Sequence, residues 1–217
     1  MPCPAFFYVK TIYQKYDKRV IAGLPQVLFG GRIIVIQSES EARRAVQYLQ
    51  TFHRLGIDTE TRPNFRPGGM NPVALLQVST MDTCFLFRLN YIGLPSCVVR
   101  LLSDEGVQKV GLSLHDDWMQ LRKRHEFQPA NYLDIQDFVK RLGVEDMSLQ
   151  KIYANLFGQK ISKGQRLTNW ETDVLTDAQK RYAATDAWAC LKLFDETNRL
   201  LSTRDYKLII ETETTTV

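Results

Sequence analysis

From Arg32 onward, the apolar positions of this chain follow first a strand period and then a helix period. Ile33-Ile-Val-Ile36 is a short β-branched run, as expected of a buried strand. Ser38 with Glu41 three residues later forms a capping box, opening a helix that carries Ala42, Ala45, Val46 and Leu49. Residues 55–60 read as the next strand. Residues 73–78 and 84–89 read as two more, joined by a short turn near Met81-Asp82, which predicts a hairpin. A helix is expected over residues 94–102 and a strand over 109–114. His115-Asp-Asp-Trp118 then opens a helix reaching about Arg124. Residues 148–157 predict a helix stopped by Gly158. Thr176 and Gln179 form a second capping box, launching a last long helix to about Leu201. Three successive strands followed by alternating helix and strand predict an α/β domain: a mixed β-sheet flanked by helices.

The remaining segments are less patterned. Residues 1–31 are rich in aromatics and lysines, lack clear periodicity and end at an expected Gly30-Gly31 turn, so they read as an N-terminal arm. Residues 32–202 form the domain, and 203–217 read as a partly disordered C-terminal tail whose last stretch, 211–217, has nothing to bury. At 217 residues the chain is long enough for one continuous core. The net charge of +4 is too small to establish a nucleic-acid partner, although an acidic site would mask part of any basic surface. Four cysteines without a CxxC pair, together with three histidines, argue against structural zinc. No run is long enough to span a membrane, and no signal segment opens the chain. The expectation is a reduced, cytoplasmic protein.

Candidate chemistry lies in the acids. Asp58 and Glu60 are two apart on a strand, so both side chains share a face. Tyr182 and Asp186 are one helical turn apart. Ala183, Ala184, Ala187 and Ala189 leave that helix small enough for close approach to a sheet. An aspartate packed there costs free energy unless paired or bound to a cation. Should the two elements meet, three carboxylates and a phenol converge, a grouping that calls for divalent metal. Asp116 and Asp117 open a helix. One suits the local N–H groups, and the other can project over the strand ends.

Together these motifs resemble the DEDD superfamily of 3′–5′ exonucleases, in its tyrosine subtype, near the ribonuclease D group and the exonuclease domain of the Werner syndrome helicase. Gly56-Ile-Asp-Thr-Glu60 matches the first motif, and Val110-Gly-Leu-Ser-Leu-His-Asp-Asp117 matches the second. Tyr182 and Asp186 match the third. Asp117, six residues after the glycine and four before Leu121, takes the second-motif role. Arg166-Leu-Thr-Asn-Trp170 and residues 179–187 add flanking similarity, which extends over about residues 33–201. No histidine follows His125, so Tyr182 alone suits the last catalytic position.

The resemblance implies a ribonuclease-H-like fold and two-metal hydrolysis of DNA or RNA from the 3′ end, releasing nucleoside 5′-monophosphates. It implies that Asp58, Glu60 and Asp186 hold one Mg²⁺ or Mn²⁺ ion, that Asp58 and Asp117 position a second, and that Tyr182 with Glu60 orients the water. Arg62, Arg66, Lys160, Lys163 and Arg166 are candidates for substrate phosphates, and Phe65 or Tyr182 for stacking on a terminal base. A catalytically idle nucleic-acid-binding or interaction module of the same fold is the alternative. A small-molecule phosphatase is a third reading, though no P-loop is present.

Overall fold

Six strands build the central sheet of the computed structural model, which describes residues 9–64 and 71–210. In chain order the described elements are β1 (Lys10–Tyr13), α1 (Lys18–Ile21), β2 (Arg32–Ile36), α2 (Glu39–Leu49), β3 (Arg54–Thr61), β4 (Val73–Ser79), β5 (Thr83–Arg88) and α3 (Leu89–Ile92). There follow α4 (Ser96–Leu102), β6 (Gln108–Gly111), α5 (Leu114–Arg122), β7 (Tyr132–Asp134), α6 (Ile135–Lys140), α7 (Leu149–Phe157), α8 (Asp177–Thr203) and β8 (Tyr206–Ile209). The sheet order is β2-β5-β4-β3-β6-β7, with β4 antiparallel to both its neighbours and every other pairing parallel. The β4–β5 hairpin closes through Thr80, whose backbone N–H reaches the Thr83 carbonyl at 2.9 Å.

Both expected capping boxes are formed, Ser38 with Glu41 on α2 and Thr176 with Gln179 on α8. One sheet face buries Ile57, Val78 and Phe85 under Ala45, Val46 and Leu49 of α2, Leu101 of α4 and Trp118 of α5. The other face carries Leu75, Cys84 and Leu86, covered by Ala183 and Ala184 of α8 with Trp170. Contact there is close. A Cβ on Gly56 would lie 2.1 Å from the Ala187 carbonyl oxygen, so only glycine lets α8 settle on β3. That seating places Asp186, beside Ala187, against Asp58, two residues along the strand from Gly56.

Several elements differ from the sequence expectations. β7 and α6 fall in a stretch without a clear period, where Tyr132–Asp134 is only three residues long. The strand expected over residues 109–114 ends at Gly111, because Ser113 takes a left-handed backbone (φ 62) and turns the chain into α5. Ser113 makes no side-chain cap. Instead Asp134 Oδ2 accepts the Leu114 N–H at 2.8 Å from the neighbouring strand. β1 of the arm pairs in parallel with β8, joining residues 10–13 to part of the segment read as a tail. Asn155 of α7 holds β1 further, accepting the Tyr13 N–H at 2.9 Å and donating to its carbonyl at 2.7 Å. Residues 211–217 lie outside the described part. No helix among the described residues is long and apolar enough to cross a membrane.

Candidate active site

The acids gather where β3 passes beneath α8. One carboxylate oxygen from each of Asp58, Glu60 and Asp186 lies within 4.8 Å of the others. The strand supplies two of the three because alternate residues share a face, and it turns irregular only after Glu60. Around them a cleft of about 310 Å³ is lined by Thr59, Leu112, Ser148, Gln150, Ile161, Ser162, Lys163, Arg166, Tyr182 and Cys190 among others. Tyr182 stands one turn before Asp186, and its ring sits 6.0 Å from that of fully buried Trp170.

Asp117 is not among the three. Its Oδ1 accepts a short hydrogen bond from the Thr59 hydroxyl, which fixes it beside the cluster rather than in it. It remains close enough for its charge to push the Asp58 and Glu60 carboxyls upward. Neighbouring Asp116 is exposed, as befits a helix-start residue.

Electrostatics make the metal-free site unfavourable. Burial pushes the Asp58 carboxyl well above the usual range, and the charges of Asp186, Glu60 and Asp117 push the same way. Burial likewise lifts Glu60 to about 9, with Asp186 and Asp117 adding to it and Arg166 opposing. Asp186 rises to about 7 through burial, held back by the Tyr182 phenol and the Lys163 ammonium. Asp117 also reaches about 7 through burial, against the pull of its Thr59 bond. Burial, then the charges of Asp186, Glu60 and Asp58, raises the Tyr182 phenol. The phenol donates a hydrogen bond to the Asp186 carboxylate. Burial pushes the Cys190 thiol in the cleft wall well above its usual value too.

The donor set fits hard cations. Asp186 Oδ1 is buried with no hydrogen-bond partner, a state that normally costs about 1–3 kcal/mol. Among the described residues the converging ligand atoms are carboxylate oxygens, which suit Mg²⁺ or Mn²⁺.

The basic candidates divide. Lys163 and Arg166 line the cleft. Arg62 lies away from it, 3.3 Å from Glu171, and the Lys160 ammonium donates to the Ala22 carbonyl of the arm. Arg66 and Phe65 fall outside the described residues. Arg166 is held in place because Gln179 Nε2 donates to Thr168 Oγ1 at 3.0 Å and to the Asn169 carbonyl at 3.1 Å, tying its loop to the head of α8. Sequence reasoning missed Thr59 and the wall formed by Ser148 and Gln150. Thr59 was readable only as the spacer between two acids, and nothing marked residues 148–150 beyond a helix start.

Comparison with known proteins agrees with this geometry. Residues 33–202 match the sequence pattern of the family described as 3′-5′ exonuclease, and the chain belongs to that family. It is 28% identical over 152 residues to the bifunctional 3′-5′ exonuclease/ATP-dependent helicase WRN of Mus musculus, covering 67% of this chain and 11% of that protein. It is 28% identical to a 3′-5′ exonuclease of Arabidopsis thaliana over 78% of this chain and 65% of that one. The corresponding figures for exonuclease 3′-5′ domain-containing protein 2 of Drosophila melanogaster are 32%, 73% and 28%. The chain thus spans less than two thirds of each of these relatives. Among solved structures, the Aedes aegypti Nibbler EXO domain superposes with TM-score 0.72 at 20% identity, covering 81% of this chain and 91% of that one. Escherichia coli RNase D gives 0.69 at 19% identity, over 82% and 52% of the two chains. The fold is accordingly the ribonuclease-H-like one of these exonuclease domains.

Proposed function

We propose that residues 32–202 are an active 3′–5′ exonuclease domain that hydrolyses terminal phosphodiester bonds of a DNA or RNA strand with two divalent ions, Mg²⁺ or Mn²⁺, and releases nucleoside 5′-monophosphates. The observation that carries this reading is the convergence of Asp58, Glu60 and Asp186 oxygens within 4.8 Å, with a partnerless buried oxygen on Asp186. Asp58, Glu60 and Asp186 would hold one ion, and Asp58 with Asp117 the second. Bound there, hard cations supply charge neutralisation for the attacking and leaving oxygens of an in-line displacement.

The chain's own groups do the rest. The protonated Tyr182 hydroxyl, one turn from Asp186, donates a hydrogen bond that orients the attacking water, with Glu60 accepting from it. Packing against Trp170 limits the directions in which the phenol can point. Lys163 and Arg166, at the cleft wall, complement the non-bridging phosphate oxygens.

The test uses 5′-labelled DNA and RNA oligomers with Mg²⁺ or Mn²⁺, with EDTA and Asp186→Ala as controls. A ladder shortening from the 3′ end, absent in both controls, is expected. No shortening with either metal, or cleavage that survives EDTA, would overturn the proposal.

A further inference from the structure

A second cleft opens beside the acidic one and shares three of its wall residues, Ser148, Gln150 and Lys163. It encloses about 450 Å³ and is lined by Lys15, Lys18, Lys151 and Lys163 together with Glu145, Asp146 and Met147. Two of those lysines come from the arm. Lys15 lies in the turn after β1, and Lys18 opens α1. The arm is fastened there by the Tyr16 N–H donating to Asp146 Oδ2 at 2.8 Å and the Glu145 N–H donating to the Gln14 carbonyl at 2.8 Å.

The two carboxylates do not cancel the lysines. Asp146 is buried and already engaged by the Tyr16 N–H and by Lys151 at 3.1 Å. Glu145 lies 3.5 Å from Lys15, in a pair whose side chains are both largely exposed and therefore easily exchanged for another anion. Lys18 and Lys163 are exposed and make no salt bridge among the described residues. The cleft therefore presents excess positive charge on the exposed side chains of Lys15, Lys18 and Lys163.

We propose that this cleft carries the sugar-phosphate backbone of the substrate strand upstream of the bond being cut. The proposal rests on the exonuclease reading of the neighbouring site. Continuity and charge together argue for this occupant. What leaves the acidic pocket through the wall of Ser148, Gln150 and Lys163 enters a cleft complementary to a repeating anion. An exonuclease substrate is one nucleotide at the reacting centre and a chain of phosphodiesters behind it. Lysines act on such a chain as point charges that need no base identity. The arm thereby becomes part of the substrate path rather than packing alone, and the protein grips long strands better than short ones.

The test compares the wild type with Lys15→Ala/Lys18→Ala and with Lys15→Arg/Lys18→Arg on two substrates. One is a long single-stranded oligomer. The other is the p-nitrophenyl ester of thymidine 5′-monophosphate, which is one nucleotide long and reads the chemistry alone. For the alanine pair we expect kcat/KM on the oligomer to fall at least about tenfold. The slope of log affinity against log salt should shrink by about 1.4, the value for two lost single-strand phosphate contacts. The ester should be cut at the wild-type rate, and the arginine pair should behave as wild type on both. An unchanged oligomer rate, or equal losses on both substrates, would overturn the inference. Should the wild type cut neither substrate, the exonuclease reading fails and oligomer binding in EDTA decides. Binding weakened only by the alanine pair keeps the cleft assignment, and binding indifferent to it removes it.

Discussion

Replacing Asp186 with asparagine in the metal-free protein tests the electrostatic account of the site directly. The side chain keeps its shape but cannot ionise. In the wild type burial pushes the Asp186 carboxyl up to about 7 from an ordinary 3.8. A raised folded value means that its contribution to stability is complete below about pH 4 and is lost as the pH rises through about 7. Between pH 5 and pH 8 the wild type thus traverses roughly two units in which folding holds a proton that unfolding releases. At 1.36 kcal/mol per unit this is about 3 kcal/mol. The variant escapes that loss. For a chain of this length about 1 kcal/mol moves the melting temperature by roughly 2–4 °C. The melting temperature of Asp186→Asn relative to wild type, in EDTA, should therefore climb by roughly 6–12 °C from pH 5 to pH 8. Relief of repulsion on Asp58 and Glu60 adds in the same direction. Millimolar Mg²⁺ at pH 8 should reverse the order, stabilising the wild type more than the variant. Scanning calorimetry at the two pH values checks this. A pH-independent difference, or a wild type that grows more stable toward pH 8 without metal, would refute the reasoning.

Tyr182→Phe removes only the hydroxyl. Steady-state kinetics should show kcat down roughly 100-fold with the Mg²⁺-induced melting shift retained, and loss of that shift would assign Tyr182 to the metal site itself. Gly56→Ala drives a methyl to within 2.1 Å of the Ala187 carbonyl oxygen, a backbone atom that cannot swing aside. Urea denaturation should show a loss of at least about 2 kcal/mol together with weaker Mg²⁺ binding, because α8 must retreat with Asp186; unchanged stability would contradict the seating argument. Thr59→Val takes away the hydroxyl that holds Asp117 down. The acid limb of the pH–rate profile should move upward and kcat should fall about tenfold, whereas an unmoved profile would remove Asp117 from the reaction.

The fold was legible where a local rule and a burial pattern agreed. Both capping boxes, the β4–β5 hairpin and the strand bearing Asp58 and Glu60 are stated by neighbouring residues alone. β1 and β8 were not, since each is four residues long and gains its meaning from a partner almost two hundred residues away. β7 was hidden for a related reason. It is a three-residue edge strand with an exposed Tyr132, and it offers no alternation to read. Its Asp134 matters because Ser113 leaves α5 without a side-chain cap of its own.

The site follows the same division. Spacing alone placed Asp58 with Glu60 and Tyr182 with Asp186, because i,i+2 on a strand and i,i+4 on a helix are fixed by backbone geometry. The meeting of the two pairs was foreshadowed by the alanines of α8, and the structure adds Gly56 on β3 as their counterpart. Closeness of backbone is what lets two acids from different elements share one centre. Asp117 has no such local tether in the sequence. Its position is decided by a hydrogen bond from Thr59, the residue between the two acids of the strand. The basic residues were least readable, since a lysine's reach exceeds the spacing of any motif. Lys160 spends its charge on the Ala22 carbonyl, while Lys15 and Lys18, in an arm without periodicity, end up beside the site. Acids that must share cations are pinned by short strands and helix turns. Cations that meet a flexible polymer are placed by whichever segment packs alongside, and no spacing rule records that.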